Sequence, residues 1–186
     1  MPVQISRRLF SVEVYHRMLE AGILTADDKV ELIKGELVER SPIGSKHAYI
    51  VDRLTMYLGQ EYEKNGIIRV QSPITISNHS EPEPDLTVLQ GPIERYSEHH
   101  PTEKDVMLLI EVSATTLEID RQIKLPLYAE AGIPEVWIVN LETHEVEQYQ
   151  EVSGKQYLSR KIFPLGSSLK LPFIESEIGV NKILGK

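Results

Sequence analysis

Apolar positions along this chain alternate between helical and strand spacing. Val12, Tyr15 and Leu19 share one helical face, and Ser11 stands where a capping residue belongs, so a first helix is expected there. Val30-Glu31-Leu32-Ile33 and Glu36-Leu37-Val38 flank Lys34-Gly35, the pattern of a two-residue β-hairpin. Ile50, Val51, Leu54, Tyr57, Leu58 and Tyr62 return to the helical period, and Gly66 is expected to end that helix. Ile67 to Val70 and Ile74 to Ile76 read as short strands. Pro84 holds Glu83 extended, so Asp85 should open a strand through Leu86-Thr87-Val88-Leu89.

Val106 to Val112 is apolar on both faces, as in a central buried strand. Thr115-x-x-Glu118 has capping-box spacing, so the next helix is expected to start there. Ile119, Ile123 and Leu127 repeat every fourth residue and should pack that helix on the sheet, with Pro126 kinking it and Gly132 ending it. Glu135 to Leu141 and His144 to Tyr149 read as a hairpin around Glu142-Thr143. Tyr157 to Phe163 and Leu169 to Leu171 continue the β pattern, and Ser176 to Leu184 reads as a terminal helix. This order predicts an α/β fold, a mixed β-sheet flanked by helices, with an N-terminal helix and β-hairpin.

Composition narrows the classes. At 186 residues with no repeat and the same net charge of -4 in residues 1–100 and 101–186, a single domain is expected over 1–186. There is no cysteine, which excludes disulfides, thiolate metal sites and a cysteine nucleophile, and fits a cytoplasmic setting. The longest apolar run, Val106-Met107-Leu108-Leu109-Ile110, is far too short to span a membrane, and Glu13 interrupts any secretory segment after Arg7 and Arg8. A net charge of -8 argues against a nonspecific nucleic-acid coat but not against an enzyme with a local basic groove.

The sharpest anomaly is Glu111, between Ile110 and Val112 at the end of the most hydrophobic strand. A carboxylate buried there without a partner costs several kcal/mol or takes up a proton. Asp85 opens another apolar strand, and if the two strands are neighbours both carboxylates leave the same sheet edge. Two oxygen ligands, completed by water and a substrate phosphate, describe a Mg²⁺ site. The plainer alternative is a half-exposed Glu111 that caps a helix or pairs with an arginine. Asp120, Lys124 and Tyr128 recur every fourth residue, and Lys124 is expected at the boundary of core and cleft; its plainer alternative is a surface pair with Asp120. Glu31, Glu36 and His47 are weaker candidates for the same cleft. His99 and His100 are adjacent and would diverge on a strand or a helix, so they do not make a natural zinc pair and are expected in a solvated loop. Trp137, between Val136 and Ile138, reads as core. The chain has no GxGxxG, P-loop, GxSxG or HExxH.

Taken in order, these segments resemble the Uma2 family. The resemblance rests on Val30 to Val38, on His47 with Val51 and Leu54, on Pro84-Asp85-Leu86, on Ile110-Glu111-Val112-Ser113, on Asp120, Lys124 and Tyr128, and on Gly132-Ile133-Pro134-Glu135-Val136-Trp137-Ile138-Val139, roughly residues 10 to 175. That family is similar to nucleases of the PD-(D/E)xK type, which implies a restriction-endonuclease-like mixed sheet and one divalent-metal cleft. It implies Mg²⁺ or Mn²⁺ on Asp85 and Glu111. The lysine of the general motif would stand two residues after the glutamate, where this chain has Ser113, so the resemblance carries that role to Lys124 on the following helix. Glu31, His47, Ser113, Asp120 and Tyr128 are further site candidates.

The function so implied is a metal-dependent endonuclease acting on DNA, weakly bound and salt-sensitive, and a homodimer because cutting two strands needs two sites. A noncatalytic nucleic-acid-binding or scaffold protein on the same fold, and a hydrolase of a small phosphorylated substrate, are the competing readings. The basic residues open to a DNA rim are scattered: Arg7, Arg8, Arg53, Arg121, Lys155, Arg160 and Lys161.

Overall fold

The computed structural model describes residues 7–186. Helix α1 (Val12–Glu20) starts at Ser11, whose hydroxyl accepts from the Val14 N–H at 3.3 Å, and buries Tyr15. Strands β1 (Val30–Ile33) and β2 (Glu36–Glu39) form the expected hairpin. Lys34 and Gly35 between them both have positive φ, +50° and +81°, which is the two-residue turn whose twist matches paired strands. A Cβ on Gly35 would meet the Leu9 Cβ at 2.6 Å. The hairpin is sewn to a later segment by Gly35 N–H to His79 O (2.6 Å), Lys34 N–H to Ser80 Oγ (2.9 Å) and Glu81 N–H to Leu32 O (2.8 Å).

Six strands form the central sheet in the order β3 (Gly66–Val70), β4 (Leu86–Gln90), β5 (Val106–Ser113), β6 (Glu135–Asn140), β7 (Glu145–Ser153) and β8 (Gln156–Pro164). Every neighbouring pair is antiparallel except β5 and β6, which run parallel. A parallel pair cannot be joined by a tight turn, so the chain crosses over between them on a helix. All eight residues of β5 are buried, as its unbroken apolar run predicts. Leu108, Ile110 and Val112 face helix α2 (Ser45–Glu61), the small hairpin β9 (Ser168–Lys170) with β10 (Glu177–Gly179), and helix α5 (Val180–Leu184). Leu109 faces the other way, among Leu89, Tyr128, Ile133, Val136 and Tyr149. Glu111 has the parity of Leu109 and so belongs to the crossover side. Trp137 is fully buried, and its indole N–H donates to Glu135 Oε1 at 2.6 Å. No helix among the described residues is long and apolar enough to cross a membrane.

The crossover departs most from expectation. It comprises α3 (Leu117–Ile119), a π-helical turn (Asp120–Lys124) and α4 (Leu125–Glu130). The Leu125 N–H bonds back to Asp120 O, five residues earlier, and Pro126, which has no N–H to give, follows at once. The helix therefore absorbs its proline as a widened turn rather than a break. A stripe at every fourth residue drifts by about 40° per step in an α-helix of 3.6 residues per turn, and the wider π turn offsets that drift. Asp120, Lys124 and Tyr128 consequently stay in line and are buried, at 4%, 7% and 0% exposure. Ile119 and Ile123, expected to pack on the sheet, are exposed, and only Leu127 of that apolar stripe is buried.

Smaller corrections are local, and in the first two a local hydrogen bond takes the place of the expected one. The helix does not start on a Thr115–Glu118 capping box, because Thr116 stands at its cap position and spends its hydroxyl on Asp120 (2.9 Å). Ile74 to Ile76 is not a strand, since Ile76 N–H closes a local turn on Ser80 O while Thr75 makes one isolated bridge to Thr102. Gly66 does not end α2, which stops at Glu61, but opens β3, where a Cβ would lie 3.1 Å from Leu89 O. The C-terminal segment spends Glu177–Gly179 in β10 before turning helical at Val180.

Gly35→Ala should lower the unfolding free energy by about 1–2 kcal/mol, because the left-handed backbone is strained for any Cβ. Urea unfolding checks this, and an unchanged midpoint would contradict the turn described.

Candidate active site

Register assembles the site. Leu86 of β4 pairs with Ile110 of β5 in antiparallel sense, so Asp85, one residue before β4, lies beside Glu111. Asp85 Oδ2 accepts the Val112 N–H at 2.8 Å and lies 3.0 Å from His47 Nε2, at the first turn of α2. Gln71 approaches Asp85 Oδ1 at 3.5 Å. Glu111, 4% exposed, receives the Tyr128 hydroxyl (2.5 Å) and the Lys124 ammonium (3.3 Å), both on Oε1. Its Oε2 accepts none of the side-chain hydrogen bonds found among the described residues. Lys124 Nζ also lies 3.1 Å from Glu31 Oε1, and Glu31 Oε2 accepts the Glu83 N–H at 2.9 Å. Asp120 Oδ2 takes the hydroxyls of Ser113 (2.7 Å) and Thr116 (2.9 Å).

These groups line a cleft of about 840 Å³ at the C-terminal end of β5, with Glu31, His47, Glu83, Asp85, Glu111, Asp120 and Lys124 all on its wall. The structure thus brings Asp85, Glu111 and Lys124 together with Glu31, His47 and Asp120. Ser113 and Tyr128 sit behind the wall, where they hold Asp120 and Glu111. Glu36 is not in the cleft and pairs with Arg7 on the surface. Lys124 stands where core meets cleft, as expected, but it is not an exposed partner of Asp120: it is buried between Glu31 and Glu111 with its ammonium on the cleft wall.

Sequence reasoning missed Glu83, Arg40 and Gln71. Glu83 is paired with Arg40, and both line the cleft. The signal was present in Glu81-Pro82-Glu83-Pro84-Asp85, because proline-held extended backbone repeats every two residues. None of the scattered basic residues proposed for a rim lines the cleft. Arg121 and Arg160 are committed to the buried Glu147, Arg53 to Lys182 O, Lys155 to Glu130 and Arg7 to Glu36. Lys29, Arg40 and Lys46 line it instead.

Electrostatics follow from burial. Desolvation pushes the Glu111 carboxyl up to about 8, against the pull of Lys124. Burial likewise raises Asp120, opposed by the hydroxyl of Ser113. For Lys124 burial acts downward, but Glu111 and Glu31 outweigh it and hold the ammonium above its ordinary range. The hydrogen bond to Asp85 raises His47, with burial working against it, and His47 Nδ1 is a buried nitrogen with no partner.

The donor set fits a hard divalent cation. Six carboxylates (Glu31, Glu39, Glu83, Asp85, Glu111 and Asp120) share a partly dry cleft with four side-chain cations (Lys29, Arg40, Lys46 and Lys124), and burial holds Glu111 above the usual carboxylate range despite Lys124. Asp85 and Glu111 do not belong to a compact three-donor cluster; among the described residues such a cluster occurs only elsewhere. Two carboxylates with the remaining positions open to water and substrate oxygens suit Mg²⁺, which keeps much of its hydration.

A mixed sheet with a parallel central pair, a crossover helix and an Asp/Glu/Lys cleft at the strand ends is the architecture of a restriction-endonuclease-like protein. The match to solved structures agrees: a crystal structure described as a putative nuclease belonging to DUF820, from Anabaena variabilis, superposes with a TM-score of 0.73 at 11% identity, covering 95% of this chain and 98% of that one. The family described as Uma2, putative restriction endonuclease, matches residues 12–181, and the chain belongs to it. No curated protein matches the chain.

Lys124 ties β1 to β5 through two buried carboxylates. Removing one partner of such a group leaves an uncompensated charge, so Lys124→Met should cost about 3–5 kcal/mol in stability. A double-mutant cycle with Glu31→Gln, read by urea unfolding, should give a coupling of about 1 kcal/mol or more. Additive effects would show that the pair does not hold the hairpin to the sheet.

Proposed function

We propose that this protein is a metal-dependent endonuclease that hydrolyses phosphodiester bonds in DNA. The observation that carries the reading is the β4–β5 register, which sets Asp85 beside Glu111 with the Lys124 ammonium 3.3 Å from the latter. Asp85 and Glu111 would hold Mg²⁺ or Mn²⁺. A bound ion of this kind polarises the scissile phosphate and lowers the pKa of a coordinated water. Val112 N–H and His47 fix Asp85 from behind, and Tyr128 fixes Glu111, so both carboxylates are oriented before substrate arrives. Lys124 carries the role of the motif lysine from the crossover helix, offsetting charge on the attacked phosphate or orienting the attacking water. Lys29, Arg40 and Lys46 are the positive groups available to a phosphate backbone on the cleft wall. The overall charge of -8 makes that contact weak and dependent on low salt. A homodimer belongs to this reading, because two clefts are needed to cut two strands.

One observation favours the competing, noncatalytic reading: Lys124 is only 7% exposed and already paired twice. A single assay separates the two. With supercoiled plasmid and MgCl₂ or MnCl₂ at low salt, the protein should nick or linearise DNA. Asp85→Asn and Glu111→Gln should each lower the rate by about a hundredfold or more, since a metal's charge stabilisation is worth several kcal/mol and each ~1.4 kcal/mol is tenfold. Circular dichroism should show both variants folded. Full activity in either variant removes these residues from the site, and a folded wild type that never cleaves favours the scaffold.

A further inference from the structure

A second group of metal-ligating side chains lies outside the cleft. His16 on α1, Glu81 in the proline-held segment and His100 in the loop before β5 place one ligand atom each within 4.8 Å of one another. His16 Nε2 is 2.6 Å from Glu81 Oε1, and the His16 and His100 rings meet edge to face with centroids 6.1 Å apart. Glu81 is 2% exposed, and its other oxygen, Oε2, accepts the Thr75 hydroxyl at 2.7 Å, which fixes the carboxylate with Oε1 toward His16. His16 and His100 are half-buried and open onto a hollow of about 770 Å³. Three ligands come from three separate parts of the chain, which adjacency of His99 and His100 in sequence did not reveal.

We propose that His16, Glu81 and His100 form a binding site for a borderline divalent transition ion, Zn²⁺ foremost, distinct from the cleft. Two imidazoles and one carboxylate are a donor set that Zn²⁺ takes with solvent in a fourth position. Tetrahedral ligands at zinc distances of about 2.0–2.1 Å stand roughly 3.4 Å apart. The separations here, from 2.6 Å to within 4.8 Å, bracket that value, so side-chain rotations alone close the site. The choice of metal differs between the two places for a chemical reason. The cleft offers oxygen donors suited to Mg²⁺, whereas imidazole nitrogen favours Zn²⁺. The Thr75 hydroxyl supplies the outer bond that such sites use to orient a ligand. Bound metal would clamp α1 onto the segment that runs into Asp85.

The proposal is tested on tag-free, chelator-treated full-length protein carrying Asp85→Asn and Glu111→Gln, so that the cleft has lost its two proposed metal ligands and failure of the nuclease reading leaves this test intact. Zn²⁺ calorimetry should show one site, and Zn²⁺ should raise the melting temperature. Adding His100→Ala, or separately Glu81→Gln, should weaken Zn²⁺ binding by at least about tenfold and abolish the thermal shift, because even outer contacts to a metal cost that much. Adding His99→Ala should change neither. His100 is half-buried and its side chain makes none of the hydrogen bonds or ion pairs found among the described residues, so His100→Ala keeps the test valid if Glu81→Gln unfolds. Equal Zn²⁺ affinity with and without His100→Ala, or no saturable binding in the parent, overturns the site.

Discussion

The Lys124 ammonium, buried between Glu31 and Glu111, is the contact on which the arrangement of this protein depends. It joins the N-terminal hairpin to the central strand and the crossover helix, which lie some way further along the chain. Burying an ion costs several kcal/mol unless its partners are well placed, so the pieces can come together only in a register that satisfies it. The π turn is what allows that register. Without the widened turn, a stripe of Asp120, Lys124 and Tyr128 would wind away from Glu111, and Ile119 and Ile123 would take its place on the sheet. The helix instead leaves two isoleucines in solvent and puts a lysine inside.

Strands and hairpins were legible because their signals are local. Lys34-Gly35 specifies its own turn, Pro84 its own extended entry, and Val106 to Val112 can lie only in the middle of a sheet. The pairing of Asp85 with Glu111 was legible as a condition, that the two strands be neighbours, and the register meets it. The crossover was misread because periodicity assumes 3.6 residues per turn, and a π turn breaks that assumption while leaving every residue of the pattern in place. The order of polarity was then inverted: the charged stripe is inside and most of the apolar one outside. Which basic residues line the cleft was not legible at all, since nothing in the sequence says that Arg121 and Arg160 are consumed by Glu147 deep in the sheet.

The segment from Glu81 to Asp85 connects both clusters of ionisable groups. Its prolines keep it extended, so Glu81, Glu83 and Asp85 recur on every second residue, with the outer two roughly 13 Å apart at about 3.3 Å per residue. Each finds a different counterpart: His16 for Glu81, Arg40 for Glu83, His47 for Asp85. The hairpin fixes this segment through Leu32 O and Glu31, so the same backbone bonds that dock the hairpin also set the acidic side chains. The excess of acid in the composition is therefore partly local: much of it is gathered where cations can answer it.

The central claim, that Asp85 and Glu111 share a hard divalent ion, is tested most directly by a crystal soaked in MnCl₂ and measured for anomalous scattering. A peak between the two carboxylates, within about 2.0–2.6 Å of an oxygen of each, is the predicted result. Full occupancy elsewhere with no density between them, and Lys124 still bridging Glu31 and Glu111, would contradict it.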